Sequence, residues 1–293
     1  MSPRTRGACL CGAVTFAIAP PYRWFAHCHC SMCRKHHGSL FGTGLGVANE
    51  RFEWLGGSAD IVHYRASTAF ERPFCRHCGS TVPALSQDEP YWHVPAGLLD
   101  GDPGARPRSQ IFVASRSPLH ELDDALPQHP AYPPGTDLPI IDDRPAPPTA
   151  GGVAGSCLCD GVAFTVAAVP RRVVNCYCSV CRRRSGAAFT STLLAPTAQF
   201  RWLRGATRVR RYALPPPRQY AADFCVACGS PVPSLAAGEP FAMLPAGAID
   251  SVLPPLPGVH LYVASKAPWY AITDAWPQFP ELPPAERLTE FFQ

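Results

Sequence analysis

The sequence has 293 residues, a length that allows about two domains of ordinary size. Hydrophobic residues make up 46 % of the chain and charged residues 16 %, so each domain can bury apolar surface and wholesale disorder is excluded. The formal net charge of +4 is too small to indicate a nucleic-acid-binding protein. No run of apolar residues is long enough for a membrane-spanning helix, so we expect no membrane partner.

The first residues of the chain imitate a secretory signal. Arg4 and Arg6 precede the mostly apolar segment 7–19, which ends in small residues. Almost the same segment recurs at 155–167, in the middle of the chain, where no signal peptide could act. We therefore interpret both segments as structural and predict a cytoplasmic location.

The sequence contains two tandem copies of one unit. Its fourteen cysteines form two sets of seven in the same order, at an offset of 148 residues that becomes 150 after the fifth cysteine. Aromatic residues such as Trp54 and Trp202 keep the same register. The predicted domains are residues 1–134 and 155–293, joined by a Pro-, Gly- and Asp-rich linker at 135–154. We further expect the two repeats to pack as an intramolecular pseudo-dimer.

Short runs of β-branched and aromatic residues, bounded by turn-forming residues, predict strands and an all-β fold class. In the first repeat these runs are residues 14–18, 52–54, 62–64, 91–94 and 111–113. A short helical turn is predicted after Cys33 and after Cys181, because Gly38 and Gly186 follow at positions suited to a left-handed helix cap.

Four cysteines of each repeat form two close pairs about 64 residues apart. They are Cys9, Cys11, Cys75 and Cys78 in the first repeat, and Cys157, Cys159, Cys225 and Cys228 in the second. Such pairs, most of them followed by glycine, are typical of the turns that hold a structural zinc ion in a closed, four-thiolate site. The alternatives are a disulfide framework, which belongs to an oxidising compartment, and reduced core cysteines.

The other three cysteines of each repeat follow a Cys-x-Cys-x-x-Cys pattern and leave no fourth cysteine to complete a site. They are Cys28, Cys30 and Cys33 in the first repeat, and Cys176, Cys178 and Cys181 in the second. Three protein ligands and an open position are typical of a catalytic zinc. The alternative is a second structural site closed by a histidine. Its candidates are His27, His29, His36, His37, His63, His77 and His93, with His260 in the second repeat.

These motifs resemble the glutathione-dependent formaldehyde-activating enzyme family, which includes centromere protein V. The resemblance lies in segments 7–16, 28–35, 74–80 and 95–100, and again in 155–162, 176–182 and 224–230. It implies two tandem zinc-stapled β-tent (Mss4-like) domains, each with two zinc ions and thus up to four per chain. By motif, the four-cysteine sets hold the structural ions and the three-cysteine sets hold catalytic ions.

The resemblance implies a carbon–sulfur lyase activity like that of S-(hydroxymethyl)glutathione synthase, which joins a glutathione-like thiol to formaldehyde. The expected partners are therefore a small thiol and an aldehyde. Arg182 and Arg183 are candidates for binding the carboxylates of an anionic thiol, and a solvated basic face is the alternative. The rival function is a non-catalytic zinc-stapled module that binds a protein or, less in keeping with the charge, a nucleic acid.

The second repeat departs from the first beside its three-cysteine motif. Asn175 and Tyr177 replace His27 and His29, and Asp160 interrupts a Cys-Gly pair. If one of these histidines moves a proton, the second copy is impaired; the alternative is that both are ordinary strand residues.

Overall fold

The computed structural model describes residues 4–87, 90–136, 138, 140, 152–218, 220–236, 238–284 and 287. Within them, two seven-residue α-helices accompany a series of short strands, so the predicted all-β class is confirmed. The strands fall into two equivalent sets that follow the two cysteine sets, which confirms the tandem arrangement. No helix of these residues is long and apolar enough to cross a membrane.

The first repeat forms a small sheet, a large sheet and a separate strand pair. Its elements are β1 (Thr5–Ala8), β2 (Thr15–Ile18), β3 (Phe25–Cys28), α1 (Ser31–His37), β4 (Gly42–Ala48), β5 (Phe52–Gly56), β6 (Ile61–Val62), β7 (Phe74–Cys75), β8 (Ala84–Leu85), β9 (Tyr91–Pro95), β10 (Ser109–Ile111) and β11 (Gln128–His129). The sheet orders are β1-β2-β5 and β11-β10-β3-β4-β9-β8, and β6 pairs with β7. Strand β10 lies parallel to β3 and β11, whereas the other pairs are antiparallel.

The second repeat follows the same plan. Its elements are β12 (Val153–Ser156), β13 (Ala163–Val166), β14 (Val173–Cys176), α2 (Ser179–Ser185), β15 (Thr190–Pro196), β16 (Phe200–Arg204), β17 (Val209–Ala213), β18 (Ala221–Cys225), β19 (Pro231–Val232), β20 (Phe241–Pro245), β21 (Gly258–Leu261) and β22 (Gln278–Phe279). The sheet orders are β12-β13-β16, β20-β15-β14-β21-β22 and β17-β18-β19. Strands β14, β15, β20 and β21 thus correspond to β3, β4, β9 and β10.

Two of the five predicted strands end early. The predicted strand at 62–64 pairs only as far as Val62, and the one at 111–113 stops at Ile111. Phe112 adopts a left-handed φ of 58° and starts the 3-10 helix Val113–Ser115. Its buried ring packs edge-on against Tyr132 at 4.7 Å. This tertiary contact selects a backbone conformation that an apolar run does not indicate.

The predicted linker lies mostly outside the described residues. Positions 137, 139 and 141–151 of the linker are not described, and strand β12 begins at Val153, within its last two residues. The boundaries 1–134 and 155–293 stay a prediction.

Both predicted helical turns are present, and they include the cysteine that was expected to precede them. Cys30 caps α1, because its sulfur accepts a hydrogen bond from the backbone nitrogen of Cys33 at 3.4 Å. Gly38, with φ 65°, ends the helix. The second helix, α2, is capped in the same way by Cys178 and Gly186.

The helices bring the two repeats together through matching contacts. Helix α2 packs against the 3-10 helix Ala96–Leu98 of the first repeat, and α1 packs against its equivalent, Ala246–Ala248. The backbone nitrogen of Gly97 donates to the carbonyl of Gly186 at 2.9 Å. A side chain at Gly97 would clash with the carbonyl of Ala187, so only glycine allows this approach.

A buried lysine reinforces the junction between the repeats. The Lys35 ammonium group donates to the carbonyl and hydroxyl oxygens of Ser156 at 2.8 and 2.9 Å and lies 2.5 Å from a carboxylate oxygen of Asp250. Its side chain is only 4 % exposed, so these three acceptors replace its hydration shell.

One hydrophobic core serves both repeats. Phe41 meets Phe189 edge-on at 5.2 Å, and Phe25 lies 5.6 Å from Trp269. These rings belong to a single cluster of buried residues drawn from both halves of the chain. The stability of each repeat therefore depends on its contact with the other.

We predict that Gly97→Ala lowers the free energy of unfolding by about 1–3 kcal/mol, because the added methyl group forces the two backbones apart. Gly56→Ala is the matched control, since its nearest neighbour would be the Thr15 hydroxyl at 3.4 Å. Urea unfolding of both variants measures the difference. Equal stability of the two variants would contradict the close packing at Gly97.

Candidate metal centres and substrate cavity

The four-cysteine sets of both repeats assemble as predicted by their spacing. In each set the four sulfur atoms lie within 4.8 Å of one another. In the first repeat, Cys11 lies 3.4 Å from Cys9 and 3.6 Å from Cys75, measured between sulfur atoms. A tetrahedral zinc–thiolate site has ligand–ligand edges of about 3.8 Å, so the sulfur atoms fit a zinc ion. All fourteen cysteines are free, so the structure contains none of the disulfides of the alternative interpretation.

Tight backbone turns bring the sulfur atoms of each four-cysteine set together. The backbone nitrogen of Gly12, with φ 78°, donates to the carbonyl of Cys9 at 3.1 Å and closes the first turn. In the second repeat Asp160 takes the same position with φ 59°, which aspartate tolerates better than most residues. The interruption of the Cys-Gly pair at Asp160 therefore preserves the turn.

The crowded sulfur atoms perturb one another. Hydrogen bonding, with Cys11 as the largest contributor, raises the pKa of Cys9 and lowers the pKa of Cys78. The same opposite shifts occur at Cys157 and Cys228, where Cys159 and Cys157 are the respective main partners. Four thiols so close together can all ionise only if a cation balances their charge, as a zinc ion would.

The three-cysteine motifs also form compact clusters. Cys28 ends β3, Cys30 caps α1 and Cys33 lies in its first turn, so the three sulfur atoms approach within 4.8 Å. The equivalent cluster in the second repeat is Cys176, Cys178 and Cys181. Among the described residues, no histidine or carboxylate joins either cluster as a fourth candidate ligand. His36, His37 and His93 line the same cavity as the first cluster, but none of them offers a nitrogen within 4.8 Å of all three sulfur atoms.

The histidines beside the first cluster are engaged in the core. His27 Nδ1 lies 2.8 Å from the Thr43 hydroxyl, and His29 Nε2 lies 2.7 Å from the side-chain oxygen of Gln110. Burial lowers the pKa of His27 to about 3 and that of His29 to about 4, so both are neutral at pH 7. The contacts favour the interpretation of His27 and His29 as ordinary strand residues.

The second repeat fills the same positions with other hydrogen-bonding groups. Asn175 accepts a hydrogen bond from Ser191 at 2.8 Å. The hydroxyl of Tyr177 lies 2.9 Å from His260, which in turn lies 2.8 Å from Asp274. The substitutions at 175 and 177 are therefore compensated within the core of the second repeat.

The first three-cysteine cluster opens onto a cavity of about 610 Å³, a volume typical of small-molecule sites. Cys28, Cys30 and Cys33 line it together with aromatic and basic residues. Strands β3, β4, β9 and β10 contribute Ala26, Gly42, Gly44, His93, Ser109 and Ile111 to its wall, together with Cys28, Thr43, Tyr91, Val94 and Pro95. Trp24 covers the two central glycines of β4, and its ring lies 4.5 Å from that of His93.

The second repeat carries larger side chains at the positions equivalent to Ala26, Gly42, Gly44 and Ser109. The strand registers match Ala26, Gly42, Gly44, His93, Ser109 and Ile111 with Val174, Thr190, Thr192, Met243, Val259 and Leu261. Arg172 stands in place of Trp24. Met243 is 42 % exposed, whereas Val259 and Leu261 of the same face are buried.

Arg182 and Arg183, predicted to bind an anionic thiol, make contacts within the protein. Arg183 forms an ion pair with Asp100 of the first repeat. Arg182 donates to the carbonyl oxygens of Tyr177 and Ser265, each at 3.3 Å. Their role in thiol binding stays a prediction, as do the metal-binding roles of the cysteines.

Sequence analysis missed Arg72, whose side chain lines the cavity. One terminal nitrogen lies 3.7 Å from the sulfur of Cys33. A comparison of the two repeats could have indicated it: Arg72 stands three residues before Cys75, and the position three before Cys225 is Ala222.

The comparisons with known proteins agree with this geometry. The family model described as glutathione-dependent formaldehyde-activating enzyme matches residues 4–115 and 152–265, more than half of the chain. The chain belongs to this family. Each repeat carries one match, so the formaldehyde-activating enzyme family unit occurs here twice.

Two proteins illustrate the similarity. A Halomonas elongata protein, named provisionally as a glutathione-dependent formaldehyde-activating enzyme, is 33 % identical over 137 residues, which are 40 % of this chain and 80 % of that protein. A crystal structure of a Rhodobacter sphaeroides protein is 24 % identical and covers 33 % of this chain and 89 % of its own. Its TM-score of 0.29 is too low to inform the fold or the function.

We predict that Cys75→Ser lowers the free energy of unfolding by several kcal/mol, because the binding energy of a structural zinc ion contributes directly to folding. Cys30→Ser should change it by about 1 kcal/mol or less, since serine is also a good helix cap. Denaturant unfolding of both variants, with zinc present, provides the test. If the two variants were destabilised equally, the distinction between a structural four-cysteine site and an open three-cysteine site would be contradicted.

Acid should destabilise the protein partly through His27. Its pKa of about 3 lies below the ordinary value of 6.5, so below pH 6.5 the unfolded chain binds the proton that the folded protein excludes. Stability therefore falls with decreasing pH from about 6.5 toward 3, by up to about 1.4 kcal/mol per pH unit. Asparagine occupies the equivalent position, 175, in the second repeat. We predict that His27→Asn removes the contribution of His27 to the pH dependence of the free energy of unfolding between pH 6 and 5. An unchanged slope in urea unfolding would contradict the prediction.

Proposed function

We propose that the three-cysteine cluster of the first repeat is the centre of a zinc-dependent carbon–sulfur lyase-like activity. In the proposed reaction a small thiol, glutathione or a relative of it, adds to an aldehyde such as formaldehyde. The carbon–sulfur bond forms as the carbonyl π bond breaks, and the thiol proton is transferred to the aldehyde oxygen. The observation that carries the proposal is a three-sulfur cluster facing a cavity of about 610 Å³.

The donor set fits a zinc ion, since Cys28, Cys30 and Cys33 offer three soft ligands within 4.8 Å of one another. When bound there, zinc would supply Lewis acidity and lower the pKa of a thiol at its open position. Hydrogen bonds from Cys28 and Cys30, followed by the charges of Arg72 and Arg34, hold the pKa of Cys33 well below its usual range. Ionisation is therefore favoured at Cys33, whereas hydrogen bonding, with Cys30 as the largest contributor, raises the pKa of Cys28.

The cavity walls would position the reactants. Trp24, Tyr91 and His93 form an aromatic group in which neighbouring rings lie 4.5–6.1 Å apart. Burial, together with the charge of Arg72, lowers the pKa of His93 to about 3, so this imidazole is neutral at neutral pH. Holding a thiol and an aldehyde side by side in such a cavity accelerates their reaction through proximity and orientation.

We propose that turnover takes place in the first repeat and that the second repeat mainly supports it. The larger side chains on the equivalent wall of the second repeat support this assignment, as does the exposure of Met243. The reciprocal helix contacts support an intramolecular pseudo-dimer. We further propose four zinc ions per chain and a cytoplasmic location, because thiolate sites persist in reducing compartments.

Cys30→Ser and Cys178→Ser form a matched pair that tests this proposal. We predict that Cys30→Ser reduces the condensation of formaldehyde with glutathione to the uncatalysed rate, whereas Cys178→Ser retains most of the activity. Exchange spectroscopy by NMR is the appropriate measurement, because the uncatalysed reaction is itself fast. A wild-type protein that does not accelerate exchange would instead favour the non-catalytic binding module.

A further inference from the structure

The guanidinium group of Arg72 has unused hydrogen-bonding capacity inside the cavity. Its Nε is buried and has no hydrogen-bond partner, and its charged end lies 5.5 Å from the centre of the Phe70 ring. A terminal nitrogen lies 3.7 Å from the Cys33 sulfur. A guanidinium group has five N–H donors in a fork that matches a carboxylate, so donors remain for a ligand.

No carboxylate of the described residues pairs with Arg72. The adjacent Glu71 is engaged by His63 at 3.1 Å and by Arg65 at 3.4 Å. The Arg72 side chain as a whole is only partly buried, but a buried Nε donor is costly unless a hydrogen-bond acceptor faces it. The Cys33 sulfur lies against one side of the Arg72 guanidinium group, and the Nε donor has no hydrogen-bond partner among the described residues.

The two repeats differ at this position of the chain. Ala222 takes the place of Arg72 in the second repeat. Arg72 therefore is not required by the zinc-stapled fold, since the second three-cysteine cluster forms without an equivalent. Its presence correlates with the covered cavity.

We propose that Arg72 is the specificity residue of the first-repeat cavity, and that it binds a carboxylate of the thiol substrate. The inference rests on the proposed function and narrows its substrate class. Because Arg72 contacts Cys33, a carboxylate on its free side would lie close to the three-cysteine cluster. The preferred thiol therefore carries a carboxylate a few bonds from its sulfur, as a mercaptocarboxylic acid does.

Two thiols of equal length test the proposal without any aldehyde: 3-mercaptopropionate and its neutral analogue 3-mercapto-1-propanol. Titration calorimetry on the zinc-loaded full-length protein should show at least tenfold tighter binding of the carboxylate, as expected for charge-assisted hydrogen bonds. Arg72→Gln should abolish this preference. Arg65→Gln, which changes an exposed arginine of the same hairpin, should retain it.

The zinc content of each variant is measured in parallel, because Arg72 also contacts a candidate ligand. Should Arg72→Gln lose zinc, Arg72→Lys, which keeps the positive charge, must still prefer the carboxylate. Equal binding of both thiols by the wild type overturns the inference and leaves the proposed function standing. Retained preference in Arg72→Gln also overturns it. If neither thiol binds, the inference falls, and the NMR exchange measurement with glutathione and formaldehyde decides the proposed function separately.

Discussion

Mutual repulsion between crowded thiolates is the constraint on which this structure depends. Fourteen free cysteines gather into four clusters, and in each cluster every sulfur lies within 4.8 Å of the others. A hydrophobic core would not assemble polar, ionisable atoms in this way, because ionised sulfur atoms at such distances need a cation between them. We expect the four-cysteine clusters to be structural metal sites, because their ligand set is closed. We expect a three-cysteine cluster to be the reaction centre, because it leaves one position open. We therefore expect the number of sulfur atoms in each cluster to decide whether a metal ion bound there stabilises the fold or takes part in a reaction.

The second repeat contributes to the proposed site even without turnover of its own. Leu158, which lies between two cysteines of the second four-cysteine set, lines the cavity of the first repeat. Met32 and Tyr64 of the first repeat pack in return against that set. The shared hydrophobic core and the hydrogen bonds of Lys35 also make the packing of each repeat depend on the other. In a duplicated chain of this kind, the residues that line one cavity can change while the other repeat still supports the shared core.

The spacing of the cysteines predicted much of this architecture. Short cysteine motifs specify local turns, and these turns determine where the sulfur atoms lie. The duplication, the all-β class, the helix caps at Gly38 and Gly186 and the grouping of the sulfur atoms could all be read from the chain. The turn at Phe112 could not, since a tertiary contact selects it. The role of Arg72 was also hidden, because its environment depends on strands distant in sequence. The arginines that seemed suited to an anion, Arg182 and Arg183, instead make contacts within the protein.

Native mass spectrometry during stepwise chelation distinguishes closed four-thiolate sites from open three-thiolate sites. We expect four zinc ions per chain in the protein as purified, of which two leave at low chelator concentration while the fold persists. The last two should leave only as the protein unfolds, because they occupy the closed sites. A chain that carries two ions, or one that loses all four in a single step, would contradict the distinction between closed and open thiolate clusters.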